Sequence, residues 1–126
     1  SYEWGTFYGD IKAGNFQLYS LRWVGITDPD QLHYIFHSAS APPAGANRGR
    51  YANAEVDRLL DASRRELDAA RRRELLVAAQ RLIAADCVYV SLWHPDDVFA
   101  LAERFEGFEA YPGGQYTSLK KVRPRS

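Results

Sequence analysis

Hydrophobic side chains near the start of the chain recur at helical spacing. Trp4, Phe7, Tyr8 and Ile11 stand at positions i, i+3, i+4 and i+7, which places all four on one face of a helix. Gly14 follows them and can end the helix, because glycine readily adopts the left-handed conformation found just after a helix. The pattern predicts a first helix with one apolar face.

Three segments alternate hydrophobic and polar residues with the period of two that is typical of β-strands. The predicted strands cover residues 16–24, 88–93 and 98–101. The alternation favours strands that are at least half buried, since aromatic and β-branched residues recur on them. Together with the helices described next, these strands predict an α/β fold in which helices pack on a small mixed sheet.

Helical spacing returns in three further segments. A turn at Asp28–Pro29 leads into a predicted short helix from about Asp30 to Phe36. Asn53 and Asp68 are predicted N-caps of two longer helices, and the Pro- and Gly-rich segment 38–50 is predicted to be an irregular connection. The inward faces of the two longer helices are predicted to carry Val56, Leu59, Leu60, Ser63 and Leu67, and Leu75, Leu76, Ala79, Leu82, Ile83 and Ala84.

The composition is that of an ordinary globular domain. The chain has 126 residues, of which 46% are hydrophobic and 25% charged, enough to build one core. Its 16 Lys and Arg residues balance 16 Asp and Glu residues, and the two signs are interleaved. Such a surface lacks the broad positive field that nucleic acid requires. No apolar run approaches the roughly 20 residues of a membrane-spanning helix, so we expect neither a nucleic-acid partner nor a membrane span in these residues.

Patterns that indicate catalysis are few. No Gly-x-Ser-x-Gly motif is present for a nucleophilic serine. His33 and His37 stand four residues apart, with Asp30 one turn earlier, and this spacing suits a metal-dependent hydrolase. The intervening residues 34–36 resemble packing residues, which favours two half-buried histidines without a metal. Cys87, the only cysteine, stands where a helix meets a predicted strand and is interpreted as a small buried side chain. We expect no enzyme activity, cofactor or metal.

The three tryptophans carry more information. Trp4, Trp23 and Trp93 each stand beside a glycine or proline that breaks an element. An aromatic side chain in such a place either seals a core or lines a pocket. The residues by themselves leave these two alternatives open.

Five segments follow one another in a distinctive order. The first contains E-W-G-T-F at residues 3–7 and R-W-V-G-I-T-D-P-D at residues 22–30, and the second is Y-A-N-A-E-V-D-R-L-L at residues 51–60. The others cover residues 69–84, 88–95 and 104–108. In this order the segments resemble the C-terminal lobe of the extracytoplasmic solute-binding proteins of peptide-type ABC transporters, the oligopeptide- and dipeptide-binding family.

The resemblance implies a fragment of a two-lobed, periplasmic-binding-protein-like receptor that closes on a ligand between its lobes. Residues 1–103 would be part of the C-terminal ligand-binding lobe, and residues 104–126 a tail that returns to the other lobe. The implied function is the substrate-binding component of an ABC importer, which takes a peptide or peptide-like solute to a membrane permease. The implied location is periplasmic or extracytoplasmic, with a signal peptide or lipid anchor upstream. Apolar surface left uncovered in a fragment is expected to promote self-association.

The same resemblance implies a set of ligand-binding residues. Trp4 and Trp23 match the two ligand-facing tryptophans of the family. Ile26 stands where peptide-binding relatives carry an aspartate that pairs with the α-ammonium group of the ligand. Thr27 and Asp28 follow in the same loop, and Asp28 is an alternative partner for that ammonium group. With Ile26 in place of the aspartate, a non-peptide solute stays open beside a peptide.

A second interpretation comes from the helices alone. The helix pair predicted over residues 54–86 has charged outer faces and a continuous apolar inner face. Such a pair can form a stand-alone helical domain that docks a protein partner. This alternative predicts that changes on the outer helix faces abolish binding.

Overall fold

The computed structural model describes residues 2–23, 28–93, 96, 98–111 and 114–125. Its four α-helices are α1 (Trp4–Ala13), α2 (Gln31–Phe36), α3 (Ala54–Arg65) and α4 (Ala69–Ala85). Two 3₁₀ turns cover Ser38–Ser40 and Thr117–Lys121. The two strands, β1 (Phe105–Glu106) and β2 (Arg123–Pro124), pair in the antiparallel sense. The described residues thus form a small helical structure with one short β-ribbon, and none of their helices is long and apolar enough to cross a membrane.

The chain divides into two compact units. The first consists of Ser1–Leu21 and Asp28–Val90, and it contains all four α-helices. The second consists of Arg22–Thr27 and Ser91–Ser126, and it contains the β-ribbon.

The predicted helix ends are confirmed. Gly14 ends α1 in the left-handed conformation, with φ of 85°. Asn53 caps α3, since its Oδ1 accepts hydrogen bonds from the backbone N–H groups of Glu55 and Val56 at 3.0 and 3.3 Å. Asp68 caps α4 by accepting from the backbone N–H of Arg71 at 2.8 Å. These caps satisfy donors that the first turn of each helix leaves free.

The core of the first unit lies where α2, α3 and α4 pack together. Its buried hydrophobic residues include Ile35, Phe36, Val56, Leu59, Leu60, Leu76, Ala79 and Ile83. Of the residues predicted on the inner faces, four of five are buried for α3, including Ser63, and three of six for α4, where Leu75 and Leu82 are half-buried. The prediction is wrong for Leu67, which is 98% exposed because α3 ends before it. It is also wrong for Ala84, which turns outward beside the buried Ile83.

The segment between α2 and α3 is an irregular connection, as predicted, and it is organised around one buried amide. Asn47 is 2% exposed. Its Nδ2 donates to the carbonyls of His37 and Tyr51 at 3.1 and 2.7 Å, and its Oδ1 accepts from the N–H of Tyr51 at 2.9 Å. Asn47 therefore ties the end of α2 to the residues that lead into α3.

The three predicted strands are wrong for the residues that the structure describes. Residues 16–23, 88–93 and 98–101 adopt neither helix nor strand. Their hydrophobic side chains include some that are largely exposed, such as Leu18 at 92% and Val98 at 89%. A strand requires the hydrogen bonds of a neighbouring backbone, and among the described residues these segments form no β-sheet pairing.

Cys87 is also placed differently from the prediction. It is an exposed free thiol, whereas a small buried side chain was expected. The helix ends at Ala85, and Cys87 follows in a turn with φ of 50°. Residues 88–93 form no strand after it, so the predicted helix–strand junction that would bury the side chain is not formed.

The second unit is held together by its short ribbon and by contacts of the tail. Arg123 Nε donates to Glu106 Oε1 at 2.8 Å across the two strands. Ser118 is buried, and its Oγ donates to the carbonyl of Glu109 at 2.6 Å. Gly107 follows β1 with φ of 87° and lies against the carbonyl of Lys121, where a Cβ atom would lie only 2.2 Å from the carbonyl oxygen.

Candidate functional site

Trp4 begins α1 and presents an exposed indole. Its side chain is 61% exposed, although it contacts two aromatic rings of the same helix. Its ring stacks on Tyr8 with centroids 5.6 Å apart and 11° between the planes. The ring of Phe7 lies 5.9 Å away at 48°. One face of the indole is thus supported by the protein, and the exposed remainder is available to stack on a ligand.

Tyr8 is itself held from other sides. Arg48 Nη2 donates a hydrogen bond to the Tyr8 hydroxyl at 3.1 Å, and the guanidinium lies 5.2 Å from the ring centroid. The Lys12 ammonium lies 5.1 Å from the same centroid. Cation–π attraction and a hydrogen bond therefore fix the ring on which Trp4 stacks. Sequence patterns placed Tyr8 on the face of Trp4, but they gave no sign of Arg48, which comes from the irregular connection.

Glu3 shapes the start of the same helix. Its Oε2 accepts a hydrogen bond from the backbone N–H of Thr6 at 2.9 Å, which makes Glu3 the N-cap of α1. Hydrogen bonds from the backbone of Gly5 and Thr6 lower the pKa of the Glu3 carboxyl. A carboxylate thus stands next to the exposed indole of Trp4 in the chain.

The other predicted ligand-binding residues lie in different parts of the chain. Trp23 is half-buried in the second unit, whereas Trp4 and Asp28 belong to the first. Ile26 and Thr27 lie outside the described residues. The pairing of Trp4 and Trp23 around one ligand therefore stays a prediction.

Asp28 lines an open groove in the first unit, and its carboxylate already has partners. Its Oδ1 accepts from the backbone N–H of Asp30 at 2.7 Å and from Arg72 Nη2 at 3.3 Å. The groove has a volume of about 670 Å³ and is lined by Asp28, Asp30, Gln31, Tyr34, Arg64, Glu66 and Arg72. A ligand ammonium group that used Asp28 would compete with Arg72.

Asp30 forms a bidentate ion pair in this groove. Its two carboxylate oxygens accept from Nε and Nη2 of Arg64 at 2.7 and 2.8 Å. This bidentate pair lowers the pKa of Asp30 and raises that of Arg64. Asp30 is therefore paired with a residue of α3, and it is not the metal ligand beside His33 and His37 that the spacing suggested.

The histidines meet a different carboxylate. The rings of His33 and His37 stack with centroids 4.2 Å apart. Asp61 Oδ1 of α3 lies 3.4 Å from His33 Nε2 and 3.5 Å from His37 Nε2. Both histidine side chains are mostly buried, at 13% and 12% exposure, so the interpretation as packed residues agrees with their burial. Burial foremost, with the nearby Arg64 and His37, lowers the pKa of His33.

The sequence patterns did not identify Asp61, because it stands 24 residues after His37 in the chain. The sequence offered one signal for Asp61, because it stands four residues after Asp57 and therefore shares a face of α3 with it. Asp57 also contacts the end of α2. Asp57 accepts hydrogen bonds from the backbone N–H and the Oγ of Ser38. Two carboxylates on one face of α3 thus approach the histidines of α2.

The chain is similar to several known proteins. It is 33% identical over 100 residues to Protein XP55 of Streptomyces lividans, a match that covers 79% of this chain. It is 28% identical over 121 residues to the oligopeptide-binding protein AppA of Bacillus subtilis, covering 94% of this chain. It is 26% identical over 114 residues to the probable di/tripeptide-binding protein 5 of Pseudomonas aeruginosa, covering 90%.

These matches cover only part of each relative. The aligned residues amount to 18% of Protein XP55 and 22% of each of the other two. The chain therefore spans about a fifth of the length of the curated relatives it matches. No protein-family profile matches the chain.

Proposed function

We propose that this chain is part of the ligand-binding lobe of a solute-binding protein of a peptide-type ABC transporter, because it is similar to segments of several such proteins. Residues 1–103 would belong to the C-terminal lobe of a two-lobed α/β receptor, and residues 104–126 would return to the other lobe. Alignment over about nine-tenths of the chain with peptide-binding proteins supports the proposed class of receptor.

The receptor would bind a peptide or peptide-like solute and deliver it to a membrane permease outside the cytoplasm. The names of the relatives support this class of ligand, since they include an oligopeptide-binding and several di/tripeptide-binding proteins. These relatives are named as binding proteins, which supports a non-enzymatic role. A receptor of this kind encloses its ligand between lobes and releases it on opening.

The exposure of the Trp4 indole is the main observation behind the proposed ligand site. The Trp4 indole is 61% exposed and is held against the ring of Tyr8, so its free surface can stack on a ligand. Tyr8 and Arg48 fix its orientation before any ligand arrives, which reduces the entropy lost on binding. We assign Trp4 to the wall of the ligand site, with Trp23, Ile26, Thr27 and Asp28 as further contributors.

The test is a calorimetric titration of the intact receptor with a defined set of dipeptides and tripeptides. Trp4→Ala is expected to weaken binding at least about tenfold, as truncation of a central aromatic contact does. Trp93→Leu is the matched control, because Trp93 is also exposed, at 70%, and is not assigned to the site. Its affinity is expected to remain that of the unmodified protein.

Equal affinities for the Trp4→Ala variant and the unmodified receptor would contradict the assignment of Trp4. Absence of any peptide binding by the intact receptor would contradict the proposed ligand class. In that case the helical interaction domain formed by α3 and α4 would be favoured, and substitutions on its outer faces would identify the docking surface.

A further inference from the structure

We propose that His33, His37 and Asp61 bind one divalent transition-metal ion of the Zn²⁺ type. This inference is independent of the proposed receptor function, since none of the three residues is assigned to the ligand site. The three residues come from two elements, with both histidines at α2 and its C-terminal cap and Asp61 on α3.

The spacing of the three side chains suits a single ion. One nitrogen from each histidine and one oxygen of Asp61 all lie within 4.8 Å of one another. The two measured nitrogen–oxygen distances are 3.4 and 3.5 Å. In a tetrahedral site with bonds of about 2.0–2.1 Å, neighbouring ligand atoms are about 3.3 Å apart. The two measured distances match this spacing.

The three ligand groups determine which kind of metal ion the cluster would prefer. Two imidazoles and one carboxylate are borderline ligands that suit Zn²⁺, Ni²⁺ or Cu²⁺ better than Mg²⁺ or Ca²⁺, which prefer oxygen ligands alone. Three protein ligands leave a fourth position for water or another small ligand. Asp61 is 44% exposed, so an ion can reach the cluster from its side.

Two features of the surroundings support the cluster as a binding site. His37 Nε2 is buried and has no hydrogen-bond partner among the described residues. Such an unpaired buried nitrogen is unfavourable, and a bound metal ion would satisfy it. The Ser40 hydroxyl lies 3.5 Å from His33 Nδ1, where it can orient the ring as an outer partner.

Binding requires a defined rearrangement. The two rings lie within 17° of parallel, so their nitrogens cannot both point in the ring plane at one ion until the rings turn. His37 Nδ1 also accepts a hydrogen bond from the backbone N–H of Ala39 at 3.0 Å. Coordination through Nε2 leaves the ring proton on Nδ1, so this hydrogen bond must break. The Ala39 amide therefore reports on metal binding by His37.

The experiment is a titration of the tag-free chain with ZnCl₂ by calorimetry, and with CoCl₂ by visible absorption. We expect one ion per chain, and a change in the NMR signal of the Ala39 amide that saturates at the same stoichiometry. Asp61→Asn and His37→Gln each remove one ligand with little change in shape. Each is expected to weaken Zn²⁺ binding at least about tenfold.

Asp30→Asn is the matched control. It removes a carboxylate near His33 that pairs with Arg64 instead of facing the cluster, so Zn²⁺ affinity is expected to stay unchanged. Circular dichroism of each variant verifies that it is folded. The proposal is overturned if the chain binds no Zn²⁺ at millimolar concentration, or if Asp61→Asn binds as tightly as the unmodified chain. Loss of binding in Asp30→Asn alone would instead support the ligand set that the spacing suggested.

Discussion

Arg48 donates a hydrogen bond from Nη2 to the Tyr8 hydroxyl at 3.1 Å, and its guanidinium also lies over the Tyr8 ring. The contact joins residues 40 positions apart and attaches the irregular connection to α1. Because Trp4 stacks on the same ring, the orientation of the proposed ligand-binding indole depends on a side chain from another part of the first unit.

Substitutions of Tyr8 can separate its hydroxyl from its ring. Tyr8→Phe keeps the stack and is expected to lower the free energy of unfolding by about 1 kcal/mol, the value of one hydrogen bond. Tyr8→Ala also removes the stack and is expected to cost about 2 kcal/mol. With Trp23 and Trp93 replaced by Phe, the fluorescence anisotropy of Trp4 should fall in Tyr8→Ala and persist in Tyr8→Phe. Equal anisotropy in both variants would show that Tyr8 does not orient Trp4.

Asn47 offers a test of the connection between α2 and α3. Asn47→Ala removes both donors and the acceptor of a buried amide and leaves backbone groups of His37 and Tyr51 without partners. We expect a loss of about 2–3 kcal/mol in urea unfolding. Asn15→Ala, which removes an exposed amide 3.4 Å from Asp10, should change the value by less than about 0.5 kcal/mol. Similar losses for both variants would contradict the role given to Asn47.

Two glycines are predicted to respond in opposite directions to alanine. Gly107→Ala would bring a Cβ atom against the Lys121 carbonyl at a positive φ, so it should disrupt the β-ribbon. Gly9 lies inside α1 with no atom within 4 Å of an added Cβ. Gly9→Ala should therefore stabilise the first unit by about 0.5–1 kcal/mol. Amide chemical shifts of residues 104–125 should change in Gly107→Ala and remain the same in Gly9→Ala; the reverse would refute the description of the ribbon.

Tyr51 is predicted to titrate late. Burial, followed by a hydrogen bond to the Asp86 carboxylate, raises the pKa of Tyr51 to about 12. Asp86→Asn removes the negative charge of this carboxylate, so the pKa of Tyr51 should fall. It should stay above 10, because burial is the largest cause of the increase. NMR titration of the tyrosine ring carbons measures this value, with Tyr51→Phe assigning the signal. A pKa that does not move in Asp86→Asn would exclude the contribution of the carboxylate.

Local features of this fold could be predicted from the sequence, because each depends on a few neighbouring residues. Asn53, Asp68 and Gly14 mark helix ends by the hydrogen bonds or backbone conformation that their own side chains allow. Strands depend on a partner elsewhere, and the alternation over residues 88–93 carries no information about whether one is present.

The proposed ligand site and the proposed metal site also combine local features, which the sequence predicts, with contacts between distant residues, which it does not. Trp4 and Tyr8 share a helix face, so their proximity follows from their spacing of four. Arg48 and Asp61 reach their partners through the packing of separate elements, which no short motif encodes. Asp30 had the right spacing from His33 for a metal ligand, but both of its carboxylate oxygens bond to Arg64 instead.

The most direct test of the central proposal is to identify the small molecule that the intact receptor carries. The protein is purified under gentle conditions, unfolded, and the released molecules are analysed by mass spectrometry. We predict that short peptides or one peptide-like solute are released at about one per receptor, and that Trp4→Ala releases much less. Release of no small molecule from the unmodified receptor, with Trp4 still exposed in the folded protein, would contradict the assignment of this chain to a solute receptor.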